Sequence, residues 1–207
     1  MNEYSFIFAS RMRLRNENKE ATLRLKAIEM IVKTGFDGLS MQKLAKAAGI
    51  SPATIYIYFK DREDLILQIG LEEIKKMTEA TLKNFSPEMS FEEGLRIQWM
   101  NRARYCLENP LQMHFLEQIK HSPLQEKVYR NDTHFINTMH QFVANAIKRK
   151  ELVHLPVEVY WSIAFAPLYQ LVKFHMSPRS LGGREKFVLD EKFMNQTLKL
   201  VLKALKP

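Results

Sequence analysis

The chain has 207 residues, enough for one substantial core and a small satellite domain, and 46% of them are apolar, as a globular fold requires. Its 31 Lys and Arg against 23 Asp and Glu leave a formal charge of +8, which suits a polyanionic partner without choosing between nucleic acid, an acidic surface and plain solubility. The single cysteine, Cys106, excludes an intrachain disulfide and a thiolate metal cluster, and it fits a reducing compartment, so the cytoplasm is the expected location.

Glycine and proline are few and fall where helices should end, and no segment shows sustained period-two alternation with β-branched residues, so the chain reads as all-α. Residues 1–15 are a basic arm in which Arg11, Arg13 and Arg15 alternate with Met12 and Leu14. Such an arm either tracks a minor groove or stays a solvated tail. A first helix is expected from about Asn18 to Thr34, with Ala21, Leu25, Ile28 and Val32 on one face and Gly35 as its C-cap. Two short helices follow, about Ser40 to Ala48 and about Pro52 to Phe59, joined at Gly49 and Ile50. Ser51 is a natural N-cap, and Pro52 stands at the first helical position, where its missing N–H costs nothing.

Asp61 caps a longer helix from Arg62 to about Asn84, with Glu63 and Asp64 in its first turn. Ser90 and Glu93 form a capping box for a helix from Phe91 to Glu108, and Asn109 with Pro110 opens another that ends near His121. Ser122, Pro123 and Gln125 start a long helix to about Lys150. The last two helices run from about Pro156 to His175 and from about Asp190 to Lys206, joined by a polar loop containing Gly182 and Gly183. The first of these carries the most apolar run, but Glu158, Pro167, Gln170 and Lys173 interrupt it, so a buried helix fits better than a membrane span.

Residues 16–61 thus form three helices in which a glycine marks the joint between the second and third, the arrangement of a helix-turn-helix reader of DNA. Ala45 and Ala48 are small enough for the helices to approach, and Leu44, Ile50 and Ile55 fill the wedge between them. From Ala27 to Leu65 the sequence resembles the TetR family. The resemblance rests on Gly35-Phe36, Leu44-Ala45, Ala48-Gly49-Ile50-Ser51, Thr54-Ile55-Tyr56, Phe59 and Glu63 with Leu65. Departures are Ile31 where phenylalanine is usual, Pro52 where glycine or lysine is commoner, and Arg62 where lysine is usual.

The resemblance implies a dimeric regulator that binds a double-stranded DNA operator and releases it on binding a small effector. It sets Thr54, Tyr56 and Tyr58 on or beside the DNA face, Gln42 and Lys43 near the backbone, and Arg62 on a phosphate. Ser51 serves as cap and backbone contact, and Pro52 removes a donor that would otherwise meet a phosphate. Gln42, Ala53, Thr54 and Ile57 are placed to feel base edges; Ala53 and Ile57 offer only apolar contact.

Residues 62–207 are then a helical sensing and dimerisation domain. Candidate pocket residues are Trp99, Tyr105, Phe115, His134, Thr138, Met139, Phe142, Trp161 and Phe165. Among the polar residues of the region, Arg102, Arg104, Gln118, His134, Thr138 and His140 could orient a ligand, and each is more readily a surface group. Candidate dimer residues are Trp161, Leu168, Val172, Met194, Leu198, Val201 and Leu205, because the last two helices are apolar enough to serve two neighbours. His114, Glu117 and His121 share a helical face but lack further ligands, so no metal site is expected. No Gly-rich phosphate loop, nucleophile elbow or Cys–His pairing is present, so neither catalytic residues nor a cofactor are expected. The competing reading is a helical sensor or protein-interaction module that keeps a helix-turn-helix only as scaffold.

Overall fold

The computed structural model describes residues 3–130, 132–178 and 186–207, with side chains from Lys19 onward. Among them every regular element is a helix: α1 (Glu3–Gly38), α2 (Met41–Ala48), α3 (Pro52–Ile55), α4 (Arg62–Thr81), α5 (Phe91–Glu108), α6 (Pro110–Lys120), α7 (Gln125–Tyr129), α8 (Thr133–Lys148), α9 (Val157–Ala164), α10 (Ala166–Met176) and α11 (Glu191–Leu205). They form two compact units. The first comprises residues 1–74 and 111–129, the second residues 75–110 and 130–207. The first unit therefore runs past the expected boundary at Asp61 and takes in most of α6 and all of α7.

In the first unit, α1 starts well before Asn18 and breaks at Gly35. The side chains of Arg11, Arg13 and Arg15 lie outside the described residues. The buried face of α1 is Leu23, Ala27, Ile28 and Ile31, while Ala21 and Leu25 are exposed. The expected stripe is thus rotated: it shared Ile28 with the true face but followed the wrong neighbours, since leucines occur on both sides of this helix. Leu39, Leu44, Ala45, Ile55, Phe59 and Leu65 complete the core beneath α2, α3 and the start of α4.

Two expected long helices are broken in the second unit. The helix expected up to Lys150 divides into α7 and α8, because Asp132 caps a new start by accepting the Phe135 N–H at 2.9 Å. The helix expected from Pro156 to His175 divides at Phe165, where φ is −127°. Pro167 explains the break: it has no N–H for the Ile163 carbonyl, and its ring crowds that carbonyl. The loop containing Gly182 and Gly183 lies outside the described residues. The core of this unit includes an aromatic seam in which Phe85 and Phe91 pack on Phe142, and Tyr160 packs on Phe91 and meets Phe165 edge-on.

Candidate nucleic-acid interface

The three-helix reader is built by local caps. Ser40 accepts the Lys43 N–H to start α2. Gly49 ends it in the left-handed region at φ 68°, and the Ile50 N–H returns to the Ala45 carbonyl at 3.0 Å. A side chain at this φ would be strained, so glycine fixes the angle between α2 and α3. Ser51 then caps α3: its Oγ accepts the Thr54 N–H at 3.3 Å and lies 2.9 Å from the Thr54 hydroxyl. The regular part of α3 is one turn, shorter than expected, and the chain continues through Tyr56 to Tyr58 in looser turns.

This scaffold leaves a distinct outer surface. Gln42 and Lys43 on α2 and Ser51, Pro52 and Ala53 at the start of α3 are exposed. Tyr56 is 55% and Ile57 76% exposed, while Ile55 before them and Phe59 after them are buried. Thr54 and Tyr58 are half-buried. A large apolar side chain held this far into solvent is unusual on an isolated surface and fits a contact face.

Arg62 is half-buried, and its Nη2 donates to the Phe36 carbonyl, which braces the end of α1 against α4. A second brace is Arg24, which bonds Glu20 and Gln68, pairs with Glu72 at 3.3 Å and lies over the Phe59 ring. At the α4 start, Asp61 accepts the Asp64 N–H, and Asp64 accepts the Lys60 N–H and the Gln68 amide. Those bonds hold the Asp64 carboxyl below its ordinary range, the Lys60 N–H contributing most.

The other candidate residues separate by environment. Trp99, Tyr105, Met139, Phe142 and Phe165 are buried in the second unit. His134 is exposed, Thr138 is half-buried with its hydroxyl on the His134 carbonyl, and Phe115 lies in the core of the first unit. Trp161, expected in both pocket and dimer face, packs on Phe165 while remaining 39% exposed. Leu168, Val172, Met194, Leu198, Val201 and Leu205 all turn into the protomer's own core. On α9 and α11 the exposed apolar residues besides Trp161 are Val157, Val159, Phe193 and Leu200.

His114, Glu117 and His121 line a shallow groove of about 430 Å³ with Val32, Gly35 and Phe36. Among the described residues no three of His, Cys, Asp or Glu gather as a metal site, and no helix is long and apolar enough to cross a membrane. Of the six polar candidates, Arg102 on α5 stands apart as a buried guanidinium among aromatic rings. It shares a helical face with Leu95, Trp99 and Cys106, whereas Arg104 two residues on is exposed.

Residues 24–69 match the family described as bacterial regulatory proteins, tetR family. The crystal structure of a TetR family transcription regulator from Marinobacter aquaeolei VT8 superposes with a TM-score of 0.76 at 27% identity, covering 94% of this chain and 98% of that one. Residues 24–69 thus carry the tetR-family sequence pattern on a fold similar to that regulator's. An uncharacterized HTH-type transcriptional regulator of Haemophilus influenzae is 34% identical over 103 residues, 49% of this chain and 54% of that protein. The fatty acid metabolism regulator protein of Bacillus subtilis is 30% identical over 71 residues, 34% of this chain and 37% of that protein. The chain therefore spans about half or less of the curated relatives it matches. The family match coincides with the capped α1–α3 scaffold and the first part of α4, the segment whose outer surface carries Tyr56 and Ile57.

Proposed function

We propose that this chain is a homodimeric transcriptional regulator of the TetR family that binds a DNA operator through α2 and α3 and is released from it, as a repressor, by a small molecule. The observation that carries the reading is the surface made by Gln42, Lys43, Pro52, Ala53, Tyr56 and Ile57. It is chemically mixed, exposed, and held on a one-turn helix whose position is fixed by Gly49 and Ser51. Lys43 supplies phosphate charge, Tyr56 a ring with a hydroxyl for the backbone, and Ala53 and Ile57 carbon surface for the groove.

One reader covers too few base pairs for specificity, so two copies at half-sites about 34 Å apart, or a multiple of that, are required. The exposed Phe193 and Leu200, seven residues apart on α11, together with Val157 on α9, supply an apolar face for the second copy. The reading predicts a salt-sensitive, sequence-selective complex with DNA upstream of the chain's own coding region. Gel shift with competitor DNA tests this. Retardation that survives excess unrelated duplex supports a regulator; none at low salt would leave a sensor or interaction module that keeps the helix-turn-helix as scaffold.

A further inference from the structure

The second unit buries a positive charge that has no counter-ion among the described residues. Arg102 is 2% exposed, and among the described residues no carboxylate pairs with it. Its Nη1 donates to the Tyr169 hydroxyl at 2.7 Å, Nη2 reaches Gln98 Oε1 only at 3.4 Å, and Nε has no partner. The rings of Phe165, Trp161 and Phe135 stand 4.5, 5.2 and 5.6 Å from the guanidinium carbon. Cation–π attraction offsets part of the lost hydration but leaves the Nε–Nη2 edge unsatisfied.

The neighbouring polar groups make the imbalance worse. Among the described residues Gln98, fully buried one turn back on α5, has no acceptor for its Nε2, and the buried Tyr160 hydroxyl has no partner. Burial raises the Tyr160 phenol far above its ordinary value even though the nearby Arg102 charge pulls it down. The surroundings thus hold surplus donors, one full charge and carbon walls. What is missing is an acceptor with a single negative charge.

We infer that Arg102 is the anchor for the head of a monocarboxylate effector whose body is aromatic or aliphatic. The inference rests on the reading of the chain as an effector-responsive regulator and names the chemistry of that effector. The Nε–Nη2 edge presents two parallel donors to a carboxylate, and Gln98 Nε2 and the Tyr160 hydroxyl serve its remaining lone pairs. One guanidinium among rings balances one charge, which favours a carboxylate over a dianionic phosphate. Trp161, partly exposed and packed at a tilt against Phe165, is the solvent-side wall whose ring must move for the effector to enter.

The test uses the full chain without DNA, so its outcome is independent of operator binding. The chain has two tryptophans, Trp99 and Trp161, both in this unit. Intrinsic fluorescence is titrated with hexanoate, decanoate and phenylacetate, each beside its neutral primary amide. The expected result is a saturable change with at least one acid, its amide binding at least about ten-fold more weakly. Arg102→Met should abolish that preference while unfolding at an unchanged or higher denaturant midpoint, because it removes an unpaired buried charge. Arg102→Lys keeps the charge without the two-donor edge and should weaken acid binding about ten-fold, which keeps the test decisive if the Met variant does not fold. No saturable response to any of the three acids, equal binding of acid and amide, or acid binding unchanged in either variant would overturn the proposal.

Discussion

The indole Nε1 of Trp99 donates to the carbonyl of Ala164 across 2.7 Å, and both groups are buried. The bond sits where Pro167 opens the ladder between α9 and α10, so a side chain on α5 supplies what the helix backbone withholds. Trp99→Phe keeps the six-membered ring and removes the donor together with the carbons of the five-membered ring. It should cost about 1–3 kcal/mol, the penalty for stranding a buried acceptor, read as a lower urea midpoint with an unchanged slope. An unchanged midpoint would show that Ala164 finds another donor.

Gly94 on α5 lies under the Phe142 ring: a Cβ there would stand inside van der Waals contact with two of its carbons and close to Phe85. Phe142 is itself held by Phe85 and Phe91 and has no free direction to yield. Gly94→Ala should therefore destabilise by about 1–3 kcal/mol despite the better helix propensity of alanine. Chemical denaturation measures it, and a stabilised variant would contradict the packing argument.

The start of α5 is capped from a distance. Glu151 accepts the Phe91 N–H at 2.8 Å and bonds Arg149. Its carboxyl is held below the ordinary value of 4.5, chiefly by the Phe91 N–H, against the opposing effect of desolvation. A depressed folded value means the contribution is complete above the unfolded value and is lost as pH falls through the folded one. Wild-type stability should thus decline in the acid range, below the ordinary value of 4.5. Glu151→Gln should show a smaller decline when midpoints are compared at about pH 6 and about pH 3. Parallel curves for the two proteins would remove Glu151 from the linkage.

On the DNA side, Lys43 is exposed beside the Ser40 cap. Lys43→Ala should weaken operator and unrelated DNA alike and reduce the slope of log affinity against log salt by about 0.9 for each phosphate that the lysine neutralises. Tyr56, Ala53 and Ile57 should instead change the ratio of specific to unrelated binding. Filter binding across a salt series separates the two behaviours, and an unchanged slope in the lysine variant would place Lys43 off the phosphates.

For the second copy, Leu200 is 64% exposed and Leu198, two residues earlier, is buried in the protomer. Leu200→Glu should leave the fold intact and yield monomers by sedimentation, with operator affinity falling together with dimerisation. Leu198→Glu should unfold the protein by burying a charge. A folded dimer of Leu200→Glu would move the interface elsewhere.

Much of the reader was legible because its geometry is written in neighbouring residues. Ser51, Gly49 and Asp61 each act on groups within five positions, and the structure bears out each as a cap or turn. What resisted was decided over longer distances. The face of α1 depends on which leucines meet α2 and α4, and Leu23 was chosen over Leu25 by packing, not by spacing. Pro167 was visible in the sequence, but the continuous apolar run on both sides of it concealed the break that Trp99 stabilises from 65 residues away. The partnership of Glu151 with Phe91 has no local signal at all.

The hydroxyls of Ser51 and Thr54 lie against each other, and Pro52 brings no N–H, so the exposed end of α3 is dominated by carbon. Docking such a face on a groove strips water mainly from apolar surface. Association should then become more exothermic as temperature rises, with a negative heat-capacity change beyond what phosphate contacts produce. Substituting serine for the outermost carbon group, Ile57, should shrink that temperature dependence before it changes the charge balance of the complex.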